Sequence, residues 1–281
     1  MEDRNFNVFL LDNDSTGRIK CSKFNWTGVA YKIPQRLLNK CSDIEHLKFA
    51  GVYFLFGTDD DNNDVVYVGQ GITRKNGEGV LFRIKEPHNS ISYWNTAVIF
   101  THKDNAFGPT EISYLENRFC MMAKKANRYI TKNGNEPNPG NLTIEKQNEM
   151  DVYIEQAVSM MGIMGFPVFE SLVEQNTNEK KKEILEYKFK GLIARGMVTN
   201  EGFVVLKDSQ LSNNFADRWK EKLPLLRSQY KEKIKDNVLL EDILFKSPSG
   251  AANFCSGQSI SGNECWINKD GKTLKELLSN K

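Results

Sequence analysis

The chain has 281 residues, a net charge of +2 and a hydrophobic fraction of 40%. This length exceeds that of a typical single domain and predicts two, with enough apolar residues to build cores without disulfides or a structural metal. No apolar run reaches the roughly 18 residues that a membrane-spanning helix needs. The opening residues, MEDRNFNVFLLDND, lack the pattern of a secretory signal. We therefore expect a cytoplasmic protein that does not contact a membrane.

The composition also argues against several kinds of site. The five cysteines are widely spread and include no CxxC pair, and the three histidines are not spaced as paired ligands on a helix. Reduced thiols are expected, and both a disulfide framework and a zinc enzyme are disfavoured. The small net charge indicates no particular partner, so nucleic-acid binding would require local basic surfaces.

The first 50 residues predict a strand hairpin and a short helix. FNVFLLD (6–12) and RIKCSKF (18–24) have the composition of strands, and the turn formers NDSTG separate them. IPQRLLNKC (33–41) predicts a short helix entered through Pro34. We assign residues 1–50 to an N-terminal extension that packs on the domain after it.

A second hairpin follows. GVYFLFG (51–57) is an apolar run bounded by glycines, and VVYVG (65–69) comes after the polar tip DDDNND. GVLFRIKEPH (79–88) predicts a helix, and WNTAVIFT (94–101) predicts another strand.

Two longer helices are predicted next. One starts near Thr110 and extends to about Tyr129, because apolar residues recur at three- and four-residue steps. MDVYIEQAVSMMGIMG (150–165) predicts the other helix. Residues 51–170 are therefore expected to form a small mixed β-sheet flanked by helices, in a chain of the α+β class.

The remainder predicts a linker at 171–184, where the apolar rhythm is lost, and a small α/β domain at 185–281. Its predicted elements are a hairpin at 187–209 that turns at 200–202, a helix at 215–235, a helix at 247–254 capped by Ser247, and a strand, turn and helix at 265–278.

Two glycine–tyrosine signatures stand out in the second hairpin. Gly51-Val52-Tyr53 and Tyr67-Val68-Gly69 place their tyrosines 14 positions apart, and an even separation along a hairpin favours one face for both rings. Arg83 follows on a predicted helix, and Glu116 lies on the helix after that.

The order Tyr53, Tyr67, Arg83, Glu116 resembles the GIY-YIG nuclease family over about residues 51 to 135. The resemblance implies a metal-dependent endonuclease with Tyr53 as general base and Tyr67 positioning water or phosphate. It implies Arg83 as the cation that stabilises phosphate charge, and Glu116 as the ligand of Mg²⁺ (or Mn²⁺).

These residue types suit phosphodiester hydrolysis. The transition state accumulates negative charge, so a cation and an activated water are needed. Mg²⁺ binds through one or two carboxylates and keeps several waters, and an arginine fork matches phosphate geometry. A tyrosine with its ordinary pKa of about 10 accepts a proton only if nearby cations stabilise the phenolate.

The sequence departs from the family at one position. Several relatives carry a lysine or histidine just after the second motif, whereas Gln70 and Gly71 stand here. Lys75 or His88 is the candidate substitute, and we include His88 among the site residues.

Family members also use an asparagine downstream of the glutamate. Three candidates compete here: Asn127, Asn133 and Asn135. We favour Asn133, which lies where the helical region closes.

The C-terminal stretch FKSPSGAANF…GNECWINKDGKTLKELL resembles a small domain of unknown function that is often attached to such nucleases. The resemblance implies a role for it in recognising substrate or a partner.

The expected activity is hydrolysis of DNA phosphodiester bonds, with RNA not excluded as a substrate and the oligomeric state open. The alternative is a non-catalytic nucleic-acid-binding module that keeps the nuclease scaffold, for which the missing lysine is the best support. A weaker third hypothesis is a regulatory protein whose C-terminal domain binds another protein.

Overall fold

The computed structural model describes residues 5–74, 77–87, 91, 93–173 and 183–279, and the chain divides into two compact units, Met1–Ser171 and Leu172–Lys281. Both units mix strands and helices, which confirms the predicted α+β class. The predicted linker begins at the boundary between the units, and most of it lies outside the described residues. No described helix is both long enough and apolar enough to cross a membrane.

The first unit contains a seven-stranded sheet in the described part of the chain, with the strand order β1-β2-β3-β6-β4-β5-β7. Its strands are β1 (Asn7–Leu10), β2 (Ile19–Ser22), β3 (Gly28–Pro34), β4 (Gly51–Thr58), β5 (Asp64–Gly71), β6 (Thr96–His102) and β7 (Ile130–Thr131). All neighbouring strands are antiparallel except β5 and β7, which are parallel, so the sheet is mixed as predicted.

The N-terminal extension is part of this sheet. β1 and β2 form the predicted hairpin, and β3 pairs along its whole length with β6. β3 was not predicted, because a central strand covered on both faces shows no alternation of polar and apolar residues. Pro34 ends β3 and begins a 3₁₀-helix, Gln35–Cys41, where a short helix was predicted.

Each face of the sheet carries its own helices and its own core. The helices are α1 (Val80–Lys85), α2 (Pro109–Ala126) and α3 (Ile144–Ile163), with 3₁₀-helices at Gln35–Cys41 and Glu45–Lys48. One face packs Phe54 and Val68 against α2 and α3. The opposite face packs Tyr53 and Leu55 against α1. Side chains of α1 and α2 therefore approach the sheet from opposite sides.

The second unit has a four-stranded antiparallel sheet of order β13-β10-β9-β8 and a separate two-stranded ribbon. The strands are β8 (Leu185–Phe189), β9 (Leu192–Thr199), β10 (Gly202–Val205), β11 (Ile234–Lys235), β12 (Val238–Leu239) and β13 (Ile243–Phe245). The helices are α4 (Lys222–Ser228), α5 (Pro248–Ser256), α6 (Gly262–Cys265) and α7 (Leu274–Ser279), with 3₁₀-helices at Asp217–Trp219 and Lys231–Lys233.

The predicted turn at 200–202 and the helix capped by Ser247 are confirmed, and the Ser247 hydroxyl accepts from the Gly250 N–H at 3.1 Å. The predicted hairpin at 187–209 contains three strands, because a further turn separates β8 from β9.

The predicted long helix at 215–235 was wrong. This segment forms the short helix α4 between two 3₁₀-helices. Within this segment, Arg227 turns inward and donates to the carbonyls of Ser212, Phe254 and Cys255 at 2.8, 2.6 and 3.1 Å. The last two carbonyls belong to the final turn of α5, so Arg227 caps that helix.

Replacing Arg227 tests this capping role. We expect Arg227→Met to lower the free energy of unfolding by about 3 kcal/mol, because charged hydrogen bonds to buried carbonyls are lost. Arg218→Met, at an exposed position of the preceding 3₁₀-helix, is the matched control. Urea denaturation measures both, and equal midpoints for the two variants would contradict the capping role.

Candidate active site

The β4–β5 hairpin brings the two tyrosines together. Tyr53 lies opposite Gly69 and Tyr67 lies opposite Leu55, so the rings form a diagonal pair on one face, as predicted. Their centroids are 6.3 Å apart and their planes are tilted by 40°.

The glycines of the two motifs create the space that these groups occupy. A Cβ on Gly69 would lie 2.5 Å from the Tyr53 hydroxyl, so the Tyr53 ring covers the backbone of Gly69. A Cβ on Gly71 would lie 2.6 Å from the Cα of Val80, so Gly71 lets α1 approach β5 closely. Because α1 approaches β5 closely at Gly71, Arg83 on α1 lies near the two tyrosines.

Arg83 is partly exposed on α1 and forms an ion pair with Glu86, with 2.7 Å between the Arg83 Nη1 and the Glu86 Oε2. Burial opposes the charge of the guanidinium, but Tyr53 and Glu86 outweigh burial and raise the pKa of Arg83. The guanidinium therefore stays cationic at any physiological pH.

The outer edge of β5 is covered along half of its length. β7 pairs with Val65 and Val66, and the next residues continue this pairing. The Asn133 Oδ1 accepts from the Val68 N–H at 3.0 Å, and the Asn133 Nδ2 donates to the Val68 carbonyl at 2.8 Å. Asn133 thus holds the residue between Tyr67 and Gly69 through both of its backbone groups.

Beyond Val68, side chains of α2 approach the β5 edge. Gln70 and Ser113 lie 3.3 Å apart, and Gln70 also hydrogen-bonds to the carboxyl group of Glu116. Ser113 and Glu116 are three positions apart and so share one face of α2. Gln70, at the position of the family's lysine, therefore connects the strand edge to Glu116.

Glu116 has a strongly perturbed carboxyl group. Its side chain is partly buried, and desolvation raises its pKa to about 7. The positive charge of Arg83 and the hydrogen bond from Gln70 oppose this rise. The carboxyl group is therefore half protonated near neutral pH, which makes it sensitive to any added cation.

The four predicted residues act on one another electrostatically. Burial is the main reason why the pKa of Tyr53 and that of Tyr67 are raised. Glu116 adds to the rise at both tyrosines, and Arg83 opposes it at both. Arg83 and Glu116, from helices on opposite faces of the sheet, thus both act on the tyrosine pair. Arg83 lies beside Gly71 and Glu116 contacts Gln70, at the end of β5 that no described strand covers.

The two phenols differ in exposure, and this bears on the role predicted for Tyr53. Tyr53 is fully buried, with 0% of its surface exposed, whereas Tyr67 is partly exposed. A general base must contact the water that it deprotonates. The burial of Tyr53 therefore disfavours it as a general base, and Tyr67 is the phenol of the pair that solvent reaches.

The other predicted site residues are the three asparagine candidates, Lys75 and His88. Asn127 ends α2 in the left-handed region with a φ of 52°, and Asn135 is exposed, so Asn133 is the asparagine beside the motif. Lys75 and His88 lie outside the described residues.

Metal binding here would depend on Glu116. The described residues include no cluster of three or more histidine, cysteine, aspartate or glutamate side chains able to hold a metal ion. The desolvated carboxyl group of Glu116 nevertheless fits a hard cation that takes one protein oxygen and otherwise keeps its waters.

Two residues of this region, Ser113 and Glu86, were not predicted from the sequence. The sequence predicts part of this arrangement, because Glu86 is three positions from Arg83 and Ser113 is three positions from Glu116 on predicted helices. Helical spacing shows that such pairs are neighbours, but it does not show that they face the end of β5.

Comparison with known proteins assigns part of the chain. A protein-family model described as "Domain of unknown function (DUF4357)" matches residues 185–278, in agreement with the resemblance of the C-terminal stretch. No curated protein and no solved structure matches the chain. The nuclease resemblance of residues 51 to 135 stays a prediction.

The close approach of Tyr53 to Gly69 can be tested by adding one methyl group. We expect Gly69→Ala to lower the free energy of unfolding by about 1–3 kcal/mol, because the Tyr53 ring must leave its position. Gly134→Ala is the control, since a Cβ there meets nothing within 4 Å. Chemical denaturation measures both variants, and the packing is refuted if Gly69→Ala is as stable as the control.

The raised pKa of Glu116 predicts a pH-dependent stability. Between its ordinary value near 4.5 and about 7, the folded protein holds the proton that the unfolded chain has released. The contribution of this proton to stability is lost as pH rises, and above about 7 the desolvated charge destabilises the fold.

Glu116→Gln should therefore raise the melting temperature at pH 8 by more than at pH 5. Thermal denaturation of both proteins in metal-free buffer measures this difference. An equal effect at the two pH values would mean that Glu116 titrates normally.

Proposed function

We propose that the first unit is a metal-dependent endonuclease that hydrolyses DNA phosphodiester bonds, with RNA not excluded as a substrate. The observation that carries the proposal is that Arg83 and Glu116, from opposite faces of the sheet, both act electrostatically on the Tyr67 phenol at the end of β5 that no described strand covers. Arg83 can supply the fixed positive charge, Glu116 a metal ligand and Tyr67 a proton acceptor for this hydrolysis.

Each residue has a distinct role in the proposed reaction. Arg83 binds a non-bridging oxygen of the phosphate and stabilises the charge that develops there. Tyr67, as its phenolate, accepts a proton from the attacking water. Burial and Glu116 raise the pKa of this phenol, and the positive charge of Arg83 offsets part of that rise. Tyr53 orients Tyr67 from the buried side, and Asn133 fixes the backbone between Tyr67 and Gly69.

Glu116 is the proposed ligand of Mg²⁺ or Mn²⁺. A bound divalent ion would neutralise charge on the phosphate and acidify water. Because the pKa of Glu116 is about 7, protons compete with the metal below neutral pH, and affinity for the metal should increase as pH rises.

Cleavage of supercoiled plasmid DNA in Mg²⁺ or Mn²⁺ tests the proposal. We expect Glu116→Gln and Tyr67→Phe to lose on the order of 100-fold or more in rate, as loss of a catalytic proton-transfer or metal-binding group predicts. Tyr53→Phe, which keeps the buried ring, should lose less. Wild-type activity should rise as pH increases through about 7, where Glu116 ionises.

The control is Glu149→Gln, which removes an exposed carboxylate of α3 that pairs with Lys146. Its cleavage rate should match that of the wild type. Equal cleavage by the wild type and Glu116→Gln would remove Glu116 from the mechanism and point to a contaminating nuclease.

A non-catalytic nucleic-acid-binding module is the second candidate. The complete burial of Tyr53 and the presence of Gln70 at the position of the family's lysine favour it. Salt-sensitive DNA binding that needs no metal, without cleavage by any variant, would support this candidate over the enzyme.

A further inference from the structure

Arg83 shares its carboxylate partner with a second arginine. The Glu86 Oε2 lies 2.7 Å from the Arg83 Nη1, and the Glu86 Oε1 lies 2.8 Å from the Arg74 Nη2. Each oxygen of one carboxylate thus receives one guanidinium, beside the tyrosine pair. The three side chains are between 32% and 41% exposed, so an external anion has access to them.

Arg74 is held in place from several directions. Its guanidinium lies over the Phe82 ring, 4.6 Å from the centroid. Its backbone N–H donates to the Glu78 carbonyl at 2.6 Å, and its carbonyl accepts from the Gly77 N–H at 3.0 Å. The Arg74 guanidinium is therefore held by the Phe82 ring as well as by Glu86, and its backbone is fixed by Gly77 and Glu78.

Two guanidinium groups around two oxygens of one anion match a phosphodiester as well as a carboxylate. Both anions present two equivalent oxygens to arginine, and arginine forms charge-assisted hydrogen bonds with either. The pairs with Glu86 are solvent-exposed and hence weak, so an incoming phosphate can replace them at low cost.

We propose that Arg74 and Arg83 together form a seat for one phosphate of the DNA backbone, and that Glu86 occupies this seat until the phosphate displaces it. The proposal rests on the proposed function, since it takes the bound polymer to be the nuclease substrate. It assigns Arg74 to substrate binding and makes Glu86 an internal competitor of the substrate. The two arginines also pull the pKa of Glu86 below its ordinary range, so Glu86 stays anionic when it competes.

Binding of a fluorescent DNA duplex in EDTA tests the seat without cleavage. We expect Glu86→Gln to bind several-fold more tightly than the wild type, because the seat is vacated and both arginines remain. Arg74→Gln should bind several-fold more weakly and lower the slope of log K against log salt by about 1, as loss of one phosphate contact predicts.

Glu78→Gln is the matched control. It removes the same charge near Arg74, at 3.9 Å in the structure, without vacating the space between the two guanidinium groups. Tightening by Glu86→Gln must exceed that by Glu78→Gln. An equal gain in DNA affinity for the two variants would mean that only the change in net charge matters, and this would overturn the proposal.

Other results also overturn the proposal: unchanged or weaker binding by Glu86→Gln, unchanged binding by Arg74→Gln, or no binding of the duplex by any variant. The two assays distinguish failure of this proposal from failure of the proposed nuclease function, because one measures binding and the other measures cleavage. If binding changes as predicted but no cleavage depends on Glu116, the phosphate site is supported and the nuclease function is rejected. Cleavage that depends on Glu116 with unaltered binding by both seat variants would reject the seat alone.

Discussion

The site depends on the way in which the edge of β5 is covered. β7 and the Asn133 amide satisfy the backbone from Val65 to Val68, and no described strand continues this pairing. An exposed strand edge has unsatisfied backbone groups and is normally blocked by side chains or a helix. Beyond Val68, the Gln70 side chain contacts Ser113 and Glu116 of α2. Arg83 of α1 lies beside Gly71 and Glu116 of α2 contacts Gln70, so groups from both faces of the sheet reach this end of β5.

Charged side chains in this region are partly removed from solvent. Glu116 loses part of its hydration, which raises its pKa to about 7, and Arg83 restores only part of what burial removes. An acid perturbed in this way is a cost to the fold that a catalytic or metal-binding role would explain. Glu86 shows the opposite situation, since it is exposed and its two arginines lower its pKa. The region therefore contains one acid with a raised pKa, Glu116, and one carboxylate, Glu86, that two arginines already stabilise.

The two tyrosines differ because their strand neighbours differ. Gly69 leaves a space that the Tyr53 ring fills completely, and this ring is part of the core beneath α1. Tyr67 lies opposite Leu55 on the outer strand of the pair and keeps some exposed surface. One ring can thus fix the position of the other.

The sequence by itself determined the β4–β5 hairpin, the shared face of Tyr53 and Tyr67, the helical positions of Arg83 and Glu116, and the Ser247 cap, because strand alternation, helical periodicity and capping are local properties. It did not reveal β3, the inward turn of Arg227 or the burial of Tyr53. Those features depend on pairing and packing between segments distant in the chain. Only the tertiary structure decided that Asn133 clamps Val68 and that Glu86 joins Arg74 to Arg83, since these contacts form when separate elements meet at one strand edge.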